Sequence, residues 1–213
     1  ASGANLFKAE VPGPTTDKLM PKLQATAKLL WYVYFGITAS QVLAYVWAGM
    51  DLFDAVCHSF ATVATGGFST KNASMAAYGS QTIQWITIAF MFIAGANFAL
   101  HYRLMTGKVA IYWKDIEFKT YFFIVVLFSV FIAYLLLQNG YTDIELAFRD
   151  ATFQVISLIT TTGFVSTDYT QWPALAQFLL FTLFFIGGCG GSTGGGVKVI
   201  RIIVLFRNAF VEL

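Results

Sequence analysis

The 213-residue sequence is 57% hydrophobic and only 11% charged, with a net charge of +2 and a mean hydropathy of +0.67. Soluble domains carry about 25% charged residues, so this composition excludes an ordinary water-soluble fold and points to a membrane. The small positive balance also argues against a nucleic-acid partner and leaves membrane lipid as the expected surroundings.

Residues 1–23 read as a polar cytoplasmic lead-in, where Val11-Pro-Gly-Pro14 forbids a continuous helix. The lead-in has no initiator Met and no uninterrupted apolar run of the signal-peptide kind. Gln24 to Met50 is apolar and exceeds the roughly 20 residues a helix needs to span a bilayer. Lys28 is its one charge, close enough to the end to snorkel. The 14 residues from Asp51 to Ala64 are apolar but too short to span. They read as a re-entrant helix, with Asp51 or Asp54 as its cap. A glycine turn, Thr65-Gly66-Gly67-Phe68, follows, then a polar loop to Ser80. Gln81 to Met105 reads as one continuous span, closed by a basic loop with Arg103, Lys108, Lys114 and Lys119. His101 and Arg103 read as interfacial anchors, whereas Asn97 could line a cavity or bond another helix.

The same order then recurs. Tyr121 to Gln138 spans, Asp143 to Thr161 is the short re-entrant piece, and Thr162 to Ser166 is the turn. Pro173 opens the last span. Setting Gly67 on Gly163 gives an offset of 96, since 163 − 67 = 96, which also aligns Asp54-Ala55 with Asp150-Ala151, Thr65 with Thr161 and Phe68 with Phe164. Asp54 and Asp150 read as helix caps rather than ion ligands, and His58 as a packed, hydrogen-bonded residue. Cys57 and Cys189 read as small apolar residues rather than a disulfide.

Charge placement supports a common orientation. If both turns face outside, the inner side holds Lys8, Lys18, Lys22, Lys28, Arg103, Lys108, Lys114, Lys119, Lys198, Arg201 and Arg207, against Lys71 and Arg149 outside. Eleven against two obeys the positive-inside rule. The expected fold is therefore an all-α membrane protein of tandem helix/re-entrant pore-loop/helix units. Its units cover 24–119 and 120–213.

Non-helical backbone at membrane depth survives only when buried in protein or lining water, so two such turns mark a polar cavity. Each turn follows the C-terminal end of a short helix, which carries about half a negative charge and favours a cation. Threonine hydroxyls and free carbonyls are oxygen ligands of the kind that replace the hydration shell of potassium. The last span is interrupted by Gly187-Gly188-Cys189-Gly190-Gly191-Ser192-Thr193-Gly194-Gly195-Gly196, seven glycines in ten positions. Helical glycine costs about 1 kcal/mol relative to alanine, so 187–196 is expected to be an unwound, mobile loop under the turns. Close helix packing through small residues is the alternative. Lys198 and Arg201 most simply anchor the inner membrane face.

These residues carry a resemblance. The unit of helix, pore helix, Thr-x-Gly turn and helix resembles the Trk/Ktr/HKT superfamily of potassium transport proteins, and within it the bacterial TrkH family. Asp51 to Thr70 looks like the second of that family's four units, and Thr160-Thr-Thr-Gly163-Phe164 with Gly187 to Arg201 looks like its third. The resemblance implies an ion filter at Thr65, Gly66, Gly67, Phe68, Thr161, Thr162, Gly163 and Phe164, with potassium as cargo and no cofactor. It implies a gate at Gly187, Gly188, Gly190, Gly191, Ser192, Thr193, Gly194, Gly195 and Gly196. It further implies a homodimer in the bacterial inner membrane and a cytosolic nucleotide-binding regulatory subunit. Two units cannot enclose a four-fold pore, so a segment of a longer chain, or pairing with another copy, is expected.

Two other classes remain in view. One is a different transporter with paired re-entrant loops, for water, ammonium or a sodium-coupled solute. The other is an intramembrane serine protease, because Gly190-Gly-Ser192-Thr-Gly194 satisfies the G-x-S-x-G pattern, with His58 or His101 as base.

Overall fold

A computed structural model describes residues 23–105, 107 and 111–211. The lead-in, with its prolines and Lys8, Lys18 and Lys22, and Lys108 of the basic loop lie outside these residues. Among the described residues the chain is helical apart from turns and one isolated parallel bridge, Ile186 to Val197.

Helix α1 spans Leu23–Trp47 and exposes Trp31, Phe35, Leu43 and Trp47. A turn through Gly49 then leads into the short helix α2, Leu52–Val63. Asp51 caps α2, its carboxylate accepting from the Phe53 amide at 3.0 Å. Helix α3, Gln81–Ala94, is capped by Ser80, and α4 covers Phe98–Met105. The short α5, Ile111–Lys114, precedes α6, Ile116–Gln138. Helix α7 is Ile144–Ile159, α8 is Ala174–Leu183 and α9 is Val199–Val211. Helices α1 and α6 are long and apolar enough to cross a membrane, and α3 with α4 would make a third span. Apolar side chains such as Phe123, Phe131, Phe178 and Phe185 face outward, as lipid-exposed surfaces do.

The short helices hold the centre. Helix α7 is buried at nearly every position from Ala147 to Ile159, packed between α6 and α3. Polar residues within it, such as Gln154 and Ser157, are therefore enclosed by protein rather than lipid.

Three expectations need correction. The span read as continuous from Gln81 to Met105 bends by 101° at Gly95-Ala96-Asn97. The span read from Tyr121 starts five residues earlier, at Ile116, because Asp115 caps it through the Phe118 amide at 2.8 Å. His101 is buried rather than interfacial; its ring nitrogens bond Ile93 O at 2.9 Å and the Tyr112 hydroxyl at 2.5 Å, tying the two arms of the bend. Arg149, counted among the outer charges, is buried and paired with Glu145 one helical turn before it, at 2.6 Å.

Gly95 is essential to the bend. A Cβ there would lie 2.5 Å from the Tyr121 hydroxyl and 2.6 Å from Thr160 Cγ2, whereas one at Gly36 in α1 would meet nothing within 4 Å. Gly95→Ala should cost about 1–3 kcal/mol through overpacking. Gly36→Ala should be neutral or stabilising by up to about 1 kcal/mol through helix propensity. Thermal unfolding of the two variants in detergent tests this contrast; equal behaviour would refute it.

Candidate functional site

The two glycine turns have the same backbone. Thr65 and Gly67 have φ of 51° and 66°, and Thr161 and Gly163 have φ of 58° and 82°, while Gly66 and Thr162 between them do not. A β-branched residue at positive φ is a true outlier, and this chain has one at each of two positions 96 apart. The amides repeat as well. Gly66 N and Gly67 N both donate to Ala61 O, at 2.7 and 3.3 Å. Thr162 N and Gly163 N both donate to Ser157 O, at 2.9 and 3.1 Å. Each turn thus folds its N–H groups back onto the end of its short helix. Among the described residues nothing donates to the carbonyls of 65–67 or 161–163. The two turns thus share one backbone form, each directly after the C-terminal end of its short helix, where the helix dipole is negative.

Side chains brace the turns from behind. His58 Nδ1 lies 2.7 Å from Asp54 O, which can only accept, so Nδ1 carries the proton and Nε2 accepts from the Ser69 hydroxyl at 2.9 Å. At the equivalent position of α7, Gln154 donates to Ser166 Oγ at 3.5 Å. The Ser157 hydroxyl donates to Phe164 O at 2.6 Å. Asp54 and Asp150 are not caps. Asp54 accepts from the Thr70 and Tyr78 hydroxyls, each at 2.7 Å, and pairs with Lys71 at 3.0 Å; Asp150 accepts from Tyr141 at 3.1 Å. The hydroxyl bonds from Thr70 and Tyr78, with Lys71 beside them, hold the Asp54 carboxyl well below the usual carboxylate range. Burial, with Asp54 next to it, pushes the Tyr78 phenol up to about 12.

The glycine-rich segment is unwound between Leu183 and Val199, as its composition predicts. Its arms are joined rather than slack: Gly187 N donates to Val197 O at 2.8 Å and Val199 N to Gly188 O at 3.2 Å. The segment seats against both turns. Thr193 Oγ1 donates to Val63 O at 2.8 Å, Thr65 Oγ1 donates to Thr193 O at 2.9 Å, and Gly195 N donates to Thr161 Oγ1 at 2.6 Å. It also fits the bend between α3 and α4. Cys189 N donates to Gly95 O at 2.9 Å, Phe98 N to Gly191 O at 3.0 Å, and Thr193 Oγ1 reaches Ala94 O at 3.2 Å. Glycine is required at 187 and 188, where a Cβ would overlap Gly195 O or lie 2.7 Å from Gly95 O.

Several residues sit differently from expectation. Lys198 is buried and donates to Gly194 O, so it belongs to the glycine loop rather than to the membrane face. Asn97 caps α4, accepting from the Ala99 amide at 2.8 Å. Ser192 Oγ donates to Cys189 O at 2.6 Å, and the bonds of His58 and His101 go elsewhere. Cys57 and Cys189 are free thiols. Glu117 drew no attention in the sequence, yet its Oε1 accepts from Gly190 N at 2.7 Å and from Ile200 N at 3.0 Å.

A family model described as TrkH, a cation transport protein, matches residues 2–213. The chain belongs to the TrkH family. It is 47% identical over 99% of its length to the Trk system potassium uptake protein TrkH of Vibrio parahaemolyticus. It is 44% identical, again over 99%, to the protein of that name from Escherichia coli. The crystal structure of the potassium transporter TrkH from Vibrio parahaemolyticus superposes with a TM-score of 0.89 at 43% identity, covering 97% of this chain and 45% of that one. The chain spans about 44% of the length of these curated relatives. TrkH proteins are transport proteins and not enzymes, which sets aside the protease reading of Ser192.

The Asp54 cluster closes the loop after the first TrkH-type turn and is testable by pH. With its folded pKa depressed, Asp54 contributes stability that is fully present above about pH 4 and is lost as pH falls through the lowered value. Thermal unfolding of the parent and of Asp54→Asn should therefore differ by a constant amount near neutral pH, and the difference should shrink in acid. A difference that grows in acid would contradict the assignment.

Proposed function

We propose that this chain supplies two pore units of a potassium-conducting path, covering 24–119 and 120–213. The observation that carries this reading is the repeated turn. Two segments 96 residues apart share a positive-φ threonine, a positive-φ glycine, amides tied back to a helix end, and carbonyls left without donors. The printed names of the relatives, potassium uptake proteins, support the choice of ion. In this reading a potassium ion sheds water and is held by carbonyls of Thr65, Gly66 and Gly67 and of Thr161, Thr162 and Gly163, with Phe68 and Phe164 setting the outer ends. The C-terminal ends of α2 and α7 add partial negative charge.

The glycine-rich loop, 187–196, is the proposed gate. Its seat across Thr65 and Thr161 would block an ion leaving the turns, and its lack of side chains lets it move without displacing bulk. By the family resemblance we also place the whole protein in the bacterial inner membrane, as a homodimer controlled by a cytosolic nucleotide-binding subunit.

Rubidium uptake into vesicles carrying the full-length protein is the test. Gly163→Ser forces a side chain onto backbone at φ of 82° and should lower the rubidium-over-sodium preference. An unchanged preference would remove Gly163 from the filter. Deleting 191–194 should raise flux, and an unchanged or reduced flux from a well-folded protein would count against the gate.

A further inference from the structure

We propose that Glu117 is the positioning residue that holds the glycine-rich loop in its seated place. This deepens the gate reading given above and rests on it. Glu117 lies in the first turn of α6, is 9% exposed, and belongs to a different helix from either arm of the loop. One of its oxygens accepts the amide of Gly190, inside the loop, and the amide of Ile200, just beyond it. These two donors are ten residues apart in sequence, since 200 − 190 = 10, and meet only at this carboxylate.

The two bonds differ in kind. Ile200 N is one of the four orphan amides at the start of α9, so Glu117 caps that helix from outside and sits at its positive end. That bond can persist whatever the loop does. Gly190 N belongs to the loop proper, next to Cys189, which bonds Gly95 in the α3–α4 bend. Movement of the loop off the turns requires the Gly190 bond to break while α9 keeps its cap. A carboxylate suits this task because bonds to a charged acceptor are roughly twice as strong as neutral ones. Lys198 donates to Gly194 O on the far arm. The loop is thus held on one side by Glu117 of α6 and on the other by Lys198.

The experiment uses the full-length protein in vesicles and reads two quantities. One is rubidium flux; the other is labelling of Cys189 by a membrane-permeant thiol reagent, followed by peptide mass spectrometry. Cys189 is 1% exposed and adjoins Gly190, so it reports loop displacement independently of transport. Glu117→Ala should raise both, flux on the order of tenfold, the weight of one charged hydrogen bond. Glu117→Gln keeps an acceptor oxygen without charge and should give a smaller rise in both quantities. If Glu117→Gln matches the parent in flux and labelling, the proposal is overturned whether or not Glu117→Ala folds, and the loop deletion still judges the gate. If labelling rises while flux does not, Glu117 does hold the loop, and the gate reading is the part that fails.

Discussion

An unpaired backbone group in apolar surroundings costs several kcal/mol, and this chain breaks its helices at four places within an apolar frame. The breaks after α2, between α3 and α4, after α7 and between α8 and α9 satisfy one another. Donors of the glycine loop go to Gly95 O, Val63 O and Ala94 O, carbonyls that their own helices have released. The Phe98 amide, freed where α4 begins, returns a bond to Gly191 O. Against that background the carbonyls of 65–67 and 161–163 stand out. Among the described residues no donor meets any of these six carbonyls, and they occur at two matching turns.

The two turns are alike in backbone but not in surroundings, and the difference has a direction. Phe164 is 1% exposed and its ring packs 5.9 Å from His58 of the preceding short helix, whereas Phe68, its equivalent, is 83% exposed. A Cβ on Gly67 would overlap Thr162 O of the other turn, whereas one on Gly163 would meet nothing within 4 Å. One contact is made here, with Phe164 and Thr162 on one side and His58 and Gly67 on the other. Phe68 and Gly163 are the two unmatched halves of that same contact. A head-to-tail interface of this kind closes into a ring when the rotation permits. Each unit thus keeps one face of the kind that meets between them, Phe68 on one and Gly163 on the other.

Much of this was legible in the sequence where a residue type has one job. Asp51, one of two caps the sequence offers for α2, does cap it, and the Thr-Gly turns show themselves as polar breaks between apolar runs, whereas the caps Ser80, Asp115 and Asp143 went unread. The bend at Gly95 was hidden because Gln81 to Met105 stays apolar throughout. Its signal was the pair Gly95 and Asn97, a residue that ends helices followed by one that caps them. Lys198 was read as an interfacial anchor although its partner is the loop carbonyl four residues before it, and Glu117 was not read at all because its partners lie across a tertiary contact. No local pattern encodes a carboxylate that reaches an amide 73 residues away. Asp54 and Asp150 illustrate the opposite error: a recurring acid suggested caps, but hydroxyls from the neighbouring loops claim both.

The strained threonines connect the loop to the turns energetically. A left-handed conformation costs an L-residue roughly 1–2 kcal/mol, and more where the side chain is β-branched, so Thr65 and Thr161 need outside support. Both hydroxyls meet the glycine-rich segment: Thr65 Oγ1 lies 2.7 Å from Ala64 O and 2.9 Å from Thr193 O, and Thr161 Oγ1 accepts from Gly195 N. The seated loop and the strained turn therefore stabilise each other. If the loop leaves, Thr161 Oγ1 loses its donor from Gly195 N, while Thr65 Oγ1 keeps Ala64 O. Serine or alanine at these positions would not do the same work, since the hydroxyl must be present and its rotamer limited, which is what a β-branched alcohol supplies.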